Sequence, residues 1–212
     1  IKLDGNYPVG TDNVALGNTA LDDGSLSGGY NTAVGTGSLS ANTSGQQNAS
    51  LGAYSLDANT TGSYNAGFGQ SSLGSNTTGS QNTALGRGAL SANTTASNNT
   101  AVGYQSLQSN TTANANTAVG YQALLDNTTG AANTSLGYLS LANNTTAEKN
   151  VAVGVETLET NTTGQYNTAL GTHALRLNTT AGNNTAVGYQ AGYANTTGVN
   201  NTAIGADAGK SI

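Results

Sequence analysis

Asparagine returns every 17 residues along this chain, at Asn31, Asn48, Asn65, Asn82, Asn99, Asn116, Asn133, Asn150, Asn167, Asn184 and Asn201, with no insertion or deletion between them. A unit one residue longer opens at Asn13. A fixed period of this size is the signature of a solenoid or array, in which each unit can bury its apolar side chains only against its neighbours. Other fold classes give no reason for the register to be kept.

With columns counted from that Asn, column five is always glycine: Gly17, Gly35, Gly52, Gly69, Gly86, Gly103, Gly120, Gly137, Gly154, Gly171, Gly188 and Gly205. Glycine at one fixed point marks a structural turn, either a bend with positive φ or a close approach of backbone to backbone. Column three is always small, which would allow chains to approach one another closely. Column four is Val, Leu, Ile or, once, Phe68. Column nine is Leu from Leu39 to Leu175 and then becomes Gly192 and Gly209. Columns twelve to fourteen read Asn-Thr-Thr from Asn59 onward. From Asn31 on, every charged residue falls in columns six, seven, ten, eleven, sixteen or seventeen. Unpaired charges are almost never buried, so those columns face water or a partner and the rest form the lattice.

Helix is excluded by the Gly, Asn and Thr in every unit and by the lack of an apolar stripe that survives column five. Leu, Ile, Val and Phe make up only roughly 16% of the chain, which raises the question of disorder. The small net charge of −5 and the strict periodicity of those apolar residues answer it. The expected fold is therefore all-β, a parallel β-solenoid (β-roll) of 17-residue coils. Thr-Ala-Val and Asn-Thr-Thr would form two short strands per coil, and columns one and twelve would form amide ladders. At ~4.8 Å per coil the rod would be on the order of 55 Å long. One Leu and one Val per coil make a thin core, which favours sharing a second apolar surface with identical chains.

Residues 1–12, which include Pro8, lie outside the register and are read as an N-terminal cap or upstream connector. Residues 13–212 are the array, its last coil truncated, and the chain is expected to continue beyond Ile212. No cysteine is present, so there is no disulfide framework. No run of ~18 apolar residues is available for membrane insertion. Five scattered basic residues on an acidic chain argue against nucleic acid as a partner.

Asn-Thr-Ala-Val-Gly-Tyr-Gln-Ala-Leu followed by Asn-Thr-Thr-Gly, as at 116–130, resembles repeats of phage and bacterial tail-fibre or adhesin proteins. The shorter Asn-Val-Ala-Val-Gly at 150–154 is similar to the head repeat of trimeric autotransporter adhesins of the YadA type, although those repeats usually run shorter. The resemblance covers nearly all of residues 13–212. It implies a homotrimer with three rolls side by side, extracellular, on a virion or bacterial cell surface. It also implies a host-cell glycan or protein receptor, and it carries no catalytic residues.

Tyr104, Tyr121 and Tyr138 hold column six in three consecutive coils, and Tyr189 repeats the position. They are expected to stack as a surface ladder at ~4.8 Å, serving an interface between subunits or glycan contact. His173 is read as plain surface, and Glu156 and Glu159 as carboxylates with no basic or histidine partner in register. Gly35-Thr36-Gly37 and Gly86-Arg87-Gly88 are too short for a phosphate loop and lack its lysine. The repeat has no acidic ligand for calcium. No enzyme, metal or cofactor is expected. The leading expectation is a structural or adhesive fibre segment that projects a receptor-binding element. The alternatives are a monomeric Thr-rich ice-binding solenoid and the subunit of an extracellular filament. Adjacent Thr residues in a strand point to opposite faces, so only one per triplet would face outward.

Overall fold

The computed structural model describes residues 11–211; the expected cap at 1–12 lies almost wholly outside them. Twelve three-residue strands run from β1 (Val14–Leu16) and β2 (Thr32–Val34) to β12 (Thr202–Ile204), one per coil, in a single sheet whose order is the sequence order. Every pairing is parallel and in column register, as in Thr117↔Thr134, Ala118↔Ser135 and Val119↔Leu136. The chain is thus an all-β parallel β-solenoid, with no helix among the described residues. In a parallel stack the hydrogen bonds between coils lie along the axis of the rod.

The longer first coil does not break this register, because Val14 still pairs with Thr32. Its extra residue is taken up in a turn where the Asp23 carboxylate accepts the Ser25 backbone N–H and the Asp23 carbonyl accepts that of Leu26.

Alternation along the three-residue strand decides what is inside. Column three points inward, and Ala33, Ala101, Ala118 and Ala152 are fully buried. These small residues are therefore the interior of the coil, where two walls of backbone come close, and not a contact between chains. Behind them lie the Ser, Ala or Thr of column eight and the nine buried leucines Leu39 to Leu175. Where serine replaces alanine the hydroxyl bonds either another serine, as Ser38 Oγ to Ser50 Oγ (2.7 Å) and Ser55 Oγ with Ser72 Oγ (2.8 Å), or a backbone carbonyl, as Ser135 Oγ to Ser140 O (2.7 Å). Columns two and four flank column three and must point out. Leu51, Leu85, Leu136 and Leu170 are about half exposed, at 53%, 46%, 46% and 47%. The large apolar side chains of column four, expected in the lattice, lie on the outer surface.

The second expected strand is absent. Asn-Thr-Thr is a bend, because the column-twelve amide folds back onto its own coil: Asn127 Nδ2 donates to Gly130 O at 3.0 Å. Its backbone still bonds along the rod, with Thr128 N donating to Thr145 O at 2.9 Å. Column twelve forms the expected amide ladder, Asn127 Nδ2 donating to Asn110 Oδ1 at 3.0 Å. Column one forms that ladder at some coils, as Asn48 Nδ2 to Asn31 Oδ1 at 3.1 Å and Asn82 Nδ2 to Asn65 Oδ1 at 3.2 Å, and its amides also serve the backbone. The Asn116 side chain accepts the backbone N–H of Asn133 (2.9 Å) and donates to Gly130 O (2.9 Å), so one carbonyl gathers both buried amides of the coil.

Both readings of column five hold at once. Gly120 has φ 137°, and a Cβ there would overlap the carbonyl oxygen of Gly137 on the next coil. Three further corners have positive φ without requiring glycine, in columns seven, nine and seventeen: Gln122 (52°), Leu124 (53°) and Ala132 (58°).

Candidate functional site

A continuous feature of the surface is the outer face of the sheet, present on every strand. From Val14 to Ile204, columns two and four carry Thr, Ala or Val beside Val, Leu, Phe or Ile, with no charged residue in any coil. The face is built by strand alternation alone, so its side chains repeat at the coil spacing of ~4.8 Å. Its apolar row is uninterrupted, which is unusual for a surface left to water.

Next to this face, across the column-five glycines, stands the tyrosine ladder. Tyr104, Tyr121 and Tyr138 stack as expected, with ring centroids 5.4 Å apart and planes within 11° and 15° of parallel. Tyr189 stands apart from them, because Val155 and Thr172 fill column six in between, and its ring lies 6.2 Å from that of His173. Arg87 covers the outer face of Tyr104, its Cζ 5.7 Å from the ring centroid and its Nη1 donating to the hydroxyl at 3.1 Å. Ring faces inside the ladder are therefore turned to each other. A sugar stacks on a face, so the ladder offers it mainly edges and hydroxyls. Lys149 repeats the arrangement over Tyr166 one coil on, 5.1 Å from the centroid. Sequence reasoning passed over both cation–tyrosine pairs, although their separation of 17 residues was the available signal.

A second departure concerns the carboxylates. Glu156 and Glu159 have partners on the next coil: Arg176 reaches Glu159 at 2.7 Å and Glu156 at 2.9 Å, while His173 Nε2 lies 3.2 Å from Glu156. Column seven meets column seven and column ten meets column ten, so in-register pairing was written in the spacing. The Glu159 carboxylate pushes the Arg176 guanidinium still higher than usual. His173 is not plain surface: it is half-buried, and its Nδ1 is enclosed without a hydrogen-bond partner. With Arg176 occupying the carboxylates, this cluster is a clasp between coils. Among the described residues no group of His, Cys, Asp and Glu could hold a metal ion.

The threonine triplets expose one residue each, as expected, except at the last, where Thr196 and Thr197 are both exposed. Elsewhere the first hydroxyl donates along the rod, as Thr128 Oγ1 to Thr145 O at 3.0 Å, and only the second faces solvent. That makes a single file of hydroxyls and not a two-dimensional array. The turn glycines from Gly35 to Gly205 all have positive φ and serve the backbone alone.

Compared with family models, curated proteins and solved structures, the chain finds no match.

Proposed function

We propose that this chain is a structural segment of an extracellular fibre, spike or surface adhesin, working as a homotrimer whose strand faces meet at the common axis. The observation that carries the reading is the uncharged outer face of the sheet, apolar in column four of every coil. A ridge with a ~4.8 Å repeat is matched best by a partner with the same repeat, and a second copy of the chain supplies it. Covering that row would remove Val, Leu, Phe or Ile side chains from water on twelve successive strands, at roughly 25 cal/mol per Å2 of apolar area. The resemblance to tail-fibre and adhesin repeats supports the same reading. Its mechanism is mechanical: a rod holds a distal receptor-binding element away from a virion or bacterial surface.

Light scattering at several concentrations tests this. A constant threefold mass is expected, falling to the mass of one chain when Leu85→Lys and Leu136→Lys are combined. A wild-type monomer would overturn the trimer, and mass that climbs with concentration would favour an end-to-end filament.

A further inference from the structure

Columns seven, ten and eleven carry long side chains over most of the rod, but not between Tyr54 and Gln105. There the coils present Asp57, then Ser71, Gly74 and Ser75, then Ser91, and the missing side chains leave an open groove of about 660 Å3. Tyr54 lines one end. Tyr54 leans back over Gly37, where a Cβ would lie 2.8 Å from its Cδ1, and Gln105 and Gln108 lie over Gly88. Asp57 stands on the floor without an ion-pair partner among the described residues. Burial pushes its carboxyl above the usual carboxylate range, against the smaller effect of backbone N–H groups at Asp57 and Ala58. A carboxylate has about four lone-pair sites, so two backbone N–H groups leave it room to accept further donors.

Serine hydroxyls follow it on the next two coils, at a spacing of ~4.8 Å, close to the length of one pyranose unit. One wall is aromatic. We propose that this groove binds a neutral oligosaccharide, with the Asp57 carboxylate accepting a pair of sugar hydroxyls, Ser71, Ser75 and Ser91 bonding the flanking hydroxyls, and Tyr54 packing against a sugar face. A small cation would need several oxygen ligands converging on one point, whereas these polar groups are strung out along the rod. The groove lies in columns seven, ten and eleven, away from columns two and four, so it stays open when strand faces pair. The assignment does not depend on the trimer.

The test is a calorimetric titration of the intact chain with neutral linear trisaccharides of glucose, galactose and mannose. Saturable binding of at least one is expected. Asp57→Asn should weaken it about tenfold, through loss of charge-assisted hydrogen bonds. Gly74→Gln, or separately Ser91→Gln, should abolish it by filling the groove with the side chain that Gln108 already places in that column. All three variants should sediment as the wild type does and none should melt lower, which separates loss of the site from loss of the fold or of the trimer. Three sugars that fail to saturate would overturn the proposal, as would undiminished binding by both glutamine variants. So would uptake of spermidine in place of sugar, lost in Asp57→Asn.

Discussion

Ala132 sits in the left-handed region with its side chain exposed, a conformation that costs an L-residue about 1 kcal/mol relative to glycine. Ala132→Gly is expected to raise the stability of its coil by up to about 1 kcal/mol although it adds no contact, measurable as slower hydrogen exchange there. The same left-handed corner in column nine is filled by nine leucines, whose preference gives no hint of it. The hint was the exchange to Gly192 and Gly209, which have φ 61° and 58° at the same corner. That exchange removes a core side chain at Gly192. It also reported backbone geometry. Asp57 gives a second residue-scale expectation. Its folded-state pKa is raised, so the folded chain holds the proton more tightly than the unfolded one, and stability falls as pH rises through the carboxylate range. Asp57→Asn should therefore melt higher than wild type at pH ~7, with the gain vanishing below the ordinary carboxylate value of 3.8. A melting series across that range measures it.

Each coil is an element that cannot stand alone, and its weakest tolerance is at column five. Gly120→Val meets both the positive φ and the carbonyl of Gly137, so a loss of about 3–5 kcal/mol is expected. Hydrogen exchange should place the damage in the two coils that meet there; unchanged protection would contradict the close packing. The period, the register and the glycine corner were all legible in the sequence, because repetition separates columns that a single unit would confuse. The direction of the side chains was harder. Thr-Ala-Val reads as apolar toward its end, yet a strand of three must put its first and third residues on the same face. Once Ala118 is inside, Val119 is outside, and hydrophobicity does not overrule that geometry. The Asn-Thr-Thr segment misled for a related reason. It repeats and bonds between coils like a strand, but Asn127 curls onto Gly130 and bends it.

At the scale of the molecule, the sequence showed the rod and left the site almost silent. A groove formed by missing side chains has no motif, since Gly74 and Ser91 look like ordinary turn residues. The Glu–Arg–His clasp was hidden only because its members are distant along the chain; every contact between coils is a contact across one period. This regularity also governs how the rod answers force. Because its hydrogen bonds lie along the axis, tension applied to the two ends loads them one coil at a time, like opening a zip. Each coil released frees 17 residues, about 55 Å of extended chain less the ~5 Å it occupied. A single chain pulled end to end is expected to lengthen in about eleven near-equal steps of ~50 Å at low force, matching its eleven strand-to-strand steps. Three chains joined along their strand faces would have to peel together, and the force at each step should rise accordingly.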